Sequence, residues 1–265
     1  MKKTKTASIA KLARLVAVLI ALAAAVSLLS CTKKPSAAAE KLSLATSADF
    51  PPYEFYSNDK IVGIDAEIAA AIADKIGAEL VIEDMDFDSV VLSVQSGKYD
   101  MGMAGLTVSD ERKEQVSFSV SYATGVQVVI VPQDSPITSV DDLFEEGTFH
   151  NIGVQLTTTG DIYATGDLEE NGLAFIDRYT KGTDAIMALV SGKVDCVIID
   201  NEPAKAFVKQ NEGLKILDTE YAVEEYAIAV NKDKTDLLQK INDALKALIS
   251  DGTVQSIIDK YIKTS

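Results

Sequence analysis

Arg112 has the most chemistry to offer in this chain. It follows Gly105-Leu106-Thr107 and stands in the run Asp110-Glu111-Arg112. A guanidinium binds a carboxylate through two parallel N–H donors. The Thr107 hydroxyl, and the amides of a turn at Thr158-Thr159 where a helix starts, can add donors to the same anion. Asp200 supplies the opposite chemistry. It follows the apolar residues Cys196 to Ile199 and can accept from a cation. Each has a second reading. Residues 110–114 also read as a solvated charged turn, and Asp200 as the N-cap of a helix containing Pro203. No G-x-S-x-G nucleophile signature occurs, and the one histidine, His150, has no Cys or His cluster around it. A zinc site of the usual kind is therefore not expected, and no cofactor is called for. Cys196, inside an apolar run, reads as a buried inert thiol.

The elements that must hold these residues repeat. A helical pattern over Ser89 to Gln95 ends at Ser96-Gly97-Lys98-Tyr99-Asp100. A second, over Thr183 to Val190, ends at Ser191-Gly192-Lys193-Val194-Asp195. Gly suits a helix end because it enters the left-handed conformation without a Cβ clash. Each copy leads into a short strand, Met101 to Ala104 and Cys196 to Ile199. The 95-residue offset also matches Gly77 to Gly172, each ahead of a β-rich segment (Leu80 to Glu83; Phe175 to Asp177). Gly105 and Asp200 then occupy equivalent places at the carboxyl ends of strands, where open α/β sheets bind ligands. Two copies are too few for a solenoid and suit two lobes of similar build.

Around them, Leu42 to Thr46, Gly125 to Val131, Ile152 to Val154 and Tyr226 to Val230 read as strands. Ile68, Ile72 and Ile76 mark one face of a helix over Ala66 to Ile76. Pro51 and Pro52 break the chain after the first strand and leave Phe50, Tyr53 and Phe55 on a loop. The βαβαβ order up to residue 104 predicts a mainly parallel sheet. Helices over Asp236 to Ile249 and Thr253 to Ile262 close the chain.

The 265 residues carry a net charge of −15 and no Trp. Lys2, Lys3, Lys5, Lys11 and Arg14 lie in the first 30 residues, which hold no acid, so the remainder is more acidic than the whole. A basic stripe for nucleic acid is absent. The basic start and the apolar run Leu15 to Leu29 read as a secretory signal over 1–30. The run is shorter than the ~20 residues of a spanning helix. Leu28-Leu29-Ser30-Cys31 resembles a bacterial lipobox, in which Cys31 is acylated, with palmitate an expected chain, and becomes the mature N-terminus. An ordinary cleaved signal or an uncleaved anchor are the alternatives. Residues 31–40 then read as a lipidated polar tether that keeps a folded body off a membrane.

Residues 41–262 resemble the solute-binding proteins of polar amino-acid ABC importers. The resemblance rests on ordered motifs: Ser47-Ala48-Asp49-Phe50-Pro51-Pro52-Tyr53-Glu54-Phe55, Val62-Gly63-Ile64-Asp65, the SGKYD run, Gly105-Leu106-Thr107 with Asp110-Glu111-Arg112, Phe118-Ser119, Gly153-Val154-Gln155 with Thr158-Thr159-Gly160, and Asp195 to Asp200. It implies an α/β, two-lobed periplasmic-binding-protein-like fold of type II. Each lobe is expected to be a mainly parallel sheet flanked by helices, with a two-strand hinge near Tyr122 to Gly125 and Ala222 to Tyr226. Lobe 1 is expected over 41–124 and 224–265, lobe 2 over 125–223.

It also implies that a free amino acid binds between the lobes of a monomer and passes to an ABC permease, without catalysis. Arg112, Thr107 and the Thr158-Thr159 helix start would hold the α-carboxylate. Asp200 and the Gly105 carbonyl would take the ammonium, and Phe50 and Phe87 would sandwich the side chain, unless they are core. Gln155 stands where glutamine-binding members have Lys, and Ile199 where they have His. Gln155 with Thr158-Thr159 looks more like members that take basic amino acids. Asp49 and Glu54 could attract a basic side chain or be solvated loop acids, and Thr157 replaces a Gly frequent in this turn. A cleft enzyme of the same fold, similar to cyclohexadienyl or arogenate dehydratases, is the alternative, with Asp49, Glu54 and Asp200 as its acids and bases. A sensor domain is a third reading, disfavoured because no signalling segment follows the lobes before Ser265.

Overall fold

The computed structural model describes residues 40–262. The signal expected over 1–30, the acylation expected at Cys31 and the expected tether up to residue 39 lie outside the described residues. No helix among the described residues is long and apolar enough to cross a membrane.

The first sheet is built from the start of the described chain. Strand β1 (Lys41–Thr46) leads through a small hairpin, β2 (Asp49–Phe50), β3 (Glu54–Ser57) and β4 (Lys60–Val62), to helix α1 (Ile64–Ile76). Then come β5 (Glu79–Asp84), α2 (Phe87–Gln95), β6 (Met101–Gly102), α3 (Asp110–Gln115) and β7 (Ser117–Phe118). The second sheet takes β8 (Ala123–Pro132), β9 (His150–Gln155), α4 (Thr159–Ala164), β10 (Ala174–Tyr179), α5 (Gly182–Val190), β11 (Cys196–Asp200), α6 (Asn201–Gln210), β12 (Leu214–Ile216) and β13 (Ala222–Tyr226). β14 (Ala229–Val230), α7 (Thr235–Ser250) and α8 (Thr253–Tyr261) follow, and β14 returns to the first sheet.

Strand order is β5-β1-β6-β14-β7 in one sheet and β10-β9-β11-β8-β12 in the other, with β13 also on β8. In each, the three strands joined by crossover helices are parallel. The remaining partners are antiparallel. The sheets are thus mixed rather than mainly parallel. β8 and β14 explain it, because each is the first strand laid down after the chain crosses between sheets and enters from the opposite end. The crossings at 123–127 and 222–226 pair antiparallel as a two-strand connection.

Burial follows the expected periods. Leu42 and Leu44 of β1 face α1, whose Ile64, Ile68 and Ile72 are wholly buried at a spacing of four. Ala45 faces α2 with Val90 and Val94. The prolines do not leave Phe50 and Phe55 on an irregular loop. Pro51 and Pro52 occupy the turn itself, so Asp49 pairs with Phe55 and Phe50 with Glu54 across it.

The repeated motif has one structural meaning in both places. Gly97 and Gly192 both end a helix with φ near +70° (75° and 71°). Each repeat Asp then grips the backbone of the central strand beside it. Asp100 accepts from the Ser43 amide at 2.8 Å while its own amide donates to the Ser43 carbonyl. Asp195 does the same with Asn151, accepting at 2.7 Å. Asp100 also accepts from the Ser43 hydroxyl at 2.6 Å and from Lys234 at 2.7 Å, tying the start of α7 to the sheet. Partial burial pushes its pKa up, but Lys234 and Ser43 outweigh that and the net shift is downward.

A carboxylate with a depressed folded pKa stabilises above its unfolded pKa, and that stability is lost as pH falls through the folded value. Asp100→Ala is therefore expected to lower unfolding stability by about 2 kcal/mol at pH 7, the worth of hydrogen bonds to a charged group. Urea titrations at falling pH should show the gap to the parent protein narrowing below the ordinary carboxylate range.

Candidate functional site

One cavity lies where the strand ends of the two sheets meet. The first sheet's side supplies Ser47, Asp49, Phe50, Phe87, Gly105, Thr107 and Arg112. The second supplies Gln155, Thr158, Thr159 and Asp200. All nine residues expected at a binding site are brought to this cavity. Ser47, Asp49 and Ala104 line it as well.

The charged turn at 110–114 divides as it folds. Ser109 caps α3, its hydroxyl accepting from the Arg112 amide at 3.2 Å. That fixes one turn of helix with Lys113 outward, paired to exposed Asp110, and Arg112 inward at 6% exposure. The guanidinium donates to the Thr107 carbonyl at 3.0 Å and, across the cleft, to the Thr157 carbonyl at 3.1 Å. It lies 5.4 Å from the Phe87 ring centre. Among the described residues no carboxylate comes within salt-bridge distance of it. Burial lowers its pKa, opposed by Glu224 and Asp200.

Asp200 ends β11 and precedes α6, but its side chain makes no capping hydrogen bond. It turns into the cavity at 7% exposure and accepts from the Tyr226 hydroxyl. Burial pushes its pKa up to about 7, against the Tyr226 hydrogen bond and with help from Glu224. Gly105 takes φ +54°, its amide held by Asp65 at 3.0 Å. A Cβ there would lie 2.9 Å from the Phe50 ring, so the backbone approaches that ring as only Gly permits.

The turn before α4 is tightly wired. Thr158 caps the helix through its hydroxyl, which accepts from the Asp161 amide and donates to the Gln155 carbonyl at 2.7 Å. Thr157 adopts φ +62°, and its amide donates to Asp161 at 2.9 Å. Gln155 donates to the Thr180 carbonyl at 3.2 Å.

The two acids of the N-terminal motif part company. Asp49 lines the cavity, accepts from Ser47 at 3.2 Å, and has a second oxygen that is buried and without a partner. Burial raises its pKa despite Ser47 and Lys181. Glu54, at 1% exposure, does not line the cavity. It lies beneath it beside Asp65, which accepts from Tyr122 at 2.7 Å, and burial followed by Asp65 pushes Glu54 well up.

The profile of the bacterial extracellular solute-binding proteins, family 3, matches residues 42–264. This chain belongs to that family. It is 34% identical over 225 residues to the arginine-binding extracellular protein ArtP of Bacillus subtilis (strain 168), covering 84% of this chain and 86% of that protein. It is 33% identical to ABC transporter arginine-binding protein 1 of Escherichia coli (strain K12), covering 85% and 92%. Among solved structures, an ancestral arginine-binding protein bound to arginine superimposes with a TM-score of 0.78 at 38% identity, covering 84% of this chain and 98% of that one.

For this family member the sequence reading missed two residues that hold the lining from behind, Glu224 on Thr107 and Thr159 and Tyr226 on Asp200. Both are buried on the same face of β13, and Tyr226 packs edge-on against Tyr53 at 5.2 Å. The available signal was the two-residue spacing within a connecting strand, obscured by the adjoining exposed Glu225.

Proposed function

We propose that this solute-binding protein captures a basic L-amino acid between two lobes and delivers it to the permease of an ABC importer. The observation that carries the reading is the pair of buried, opposite charges on one cavity. Arg112 has no internal carboxylate partner among the described residues, and Asp200 has no internal cation. Burying an unpaired charge is costly. A zwitterion answers both at once: its carboxylate meets the guanidinium and its ammonium meets Asp200 and the Gly105 carbonyl.

The side-chain end favours a further cation. Asp200 and Asp49, when ionised, outnumber Arg112, so a neutral zwitterion leaves the cleft anionic and a basic amino acid leaves it less so. Asp49 offers the unpartnered oxygen, and Phe50 and Phe87 offer ring faces to a flat guanidinium. Lys181, near Asp49, is exposed and therefore screened. The arginine-binding relatives support the same class.

We place lobe 1 at 41–124 and 224–265 and lobe 2 at 125–223, closing about the paired strands at 123–127 and 222–226. Cys31 carries the lipid that holds this monomer at the extracytoplasmic face of a membrane. The protein is a carrier rather than a dehydratase. Of the three candidate acids, Glu54 lies below the cavity, and Asp200 is placed to pair with an ammonium.

Titration calorimetry of residues 32–265, unfolded and refolded to strip carried ligand, should show binding of Arg, Lys or His, and Arg112→Ala should weaken it more than 100-fold with little change in melting temperature. Retained affinity in Arg112→Ala would remove the carboxylate clamp.

The pH dependence has a definite sign. An ammonium needs ionised Asp200, whose pKa near 7 means that binding displaces a proton below that pH. Affinity should fall about tenfold from pH 8 to pH 6, following one proton per site, and Asp200→Asn should bind weakly at both. Separately, Cys31→Ser should release the full-length protein from membranes on fractionation.

A further inference from the structure

Glu224 is a buried carboxylate that the ligand reading does not use. It is 5% exposed and lies on β13, one of the two strands that connect the sheets. Three donors from three elements converge on its oxygen Oε2. Thr107, after β6 of the first sheet, donates from 3.0 Å. Gln127, on β8, donates from 3.1 Å. Thr159, at the start of α4 beside the second sheet, donates from 2.9 Å. Gln127 also donates to the Thr159 hydroxyl at 3.2 Å, closing the ring. The other oxygen, Oε1, is buried without a partner.

This wiring changes what the two threonines can do. A hydroxyl has one proton. Thr107 and Thr159 both give theirs to Glu224, so neither hydroxyl donates to a ligand carboxylate in this arrangement. Their hydroxyls instead join one strand of the connection to both sides of the cleft. The bonds from Thr107 and Thr159 can coexist only when the two sides are brought together over β13. Hydrogen bonds to a charged acceptor are shorter and stronger than neutral ones, and burial shields these from water.

We propose that Glu224 is the latch of the closed state: a positioning residue that draws Thr107 and Thr159 together and so sets how long a bound amino acid stays. This rests on the cleft being the ligand site, and it adds a residue that acts on closure rather than on ligand contact. Opening breaks the bond from at least one side, so the latch governs escape of the ligand and not its first encounter with the open cleft.

The test uses three proteins over residues 32–265: parent, Glu224→Ala and Glu224→Gln. Dissociation of radiolabelled arginine is followed by rapid filtration, and the radius of gyration with and without arginine by small-angle X-ray scattering. Glu224→Ala should release arginine roughly 10- to 100-fold faster, the loss expected for hydrogen bonds to a charged group. Its association rate should change little, and it should scatter as a more expanded particle. Glu224→Gln keeps a carbonyl oxygen for the same three donors, so it should recover most of the residence time. Unchanged release from Glu224→Ala, or Glu224→Gln as fast as Glu224→Ala, overturns the latch. If the parent binds no amino acid, the ligand reading fails instead. Scattering of the ligand-free proteins then decides the latch alone: greater expansion of Glu224→Ala than of the parent supports it, and equal radii overturn it.

Discussion

A guanidinium held out of water with no anionic partner among the described residues is the constraint on which the cleft depends. The fold keeps Arg112 buried by giving its N–H groups to two carbonyls, Thr107 on one side and Thr157 on the other. Carbonyl dipoles satisfy donors without neutralising the charge, so the site stays primed for a carboxylate. The same logic runs in reverse at Asp200, where a tyrosine hydroxyl satisfies one oxygen and no cation among the described residues pairs with the charge. Filling either partner with an internal ion pair would make a more stable protein and a poorer receptor.

That arrangement requires two sheets whose strand ends face one another, and the crossing of the chain provides them. Each sheet keeps its own parallel core, and each borrows a strand laid down just after the crossing, β8 in one and β14 in the other. The connecting segments pair with each other, Glu224 opposite Gly125 and Tyr226 opposite Ala123. A Cβ on Gly125 would fall 2.3 Å from the Tyr226 ring, so the glycine makes room for the ring that reaches Asp200. Connection and binding chemistry are therefore one structure: the residues that join the sheets also set the electrostatics of the cleft.

Local signals carried much of this. Helix ends at Gly97 and Gly192, the four-residue spacing of isoleucines in α1 and the Ser109 cap all act within a few residues of chain, and the sequence shows them directly. The strand ends bearing Gly105 and Asp200 were legible for the same reason, once the repeat aligned them. The mixed sheets were not, because the direction of β8 and β14 is decided by a crossing that joins segments about a hundred residues apart. Glu224 was missed for a related reason. Beside Glu225 it looks like one of two solvated acids, and only pairing with β8 determines which of the two faces the cleft. The loop reading of Phe50 failed on a smaller scale: the prolines fit the turn between β2 and β3 and leave the flanking residues free to pair.

The duplicated motif explains why such a site is asymmetric although its frame is not. Both copies end a helix on glycine, pass through an aspartate that grips the neighbouring strand, and deliver the chain to a strand end on the cleft. At that shared position one copy places Gly105 and the other Asp200. The first gives up its side chain, so that backbone and the Phe50 ring can come together. The second presents a carboxylate to the same cavity. A symmetric pair of carboxylates facing each other would repel and draw one proton between them, and a symmetric pair of glycines would hold no charge. Divergence at one position of a repeated frame gives a cleft whose two matched strand ends differ, one bare backbone and the other a carboxylate. On the proposed reading, Arg112 on the same cavity gives the carboxylate of an α-amino acid a partner opposite in sign to the one that meets its ammonium.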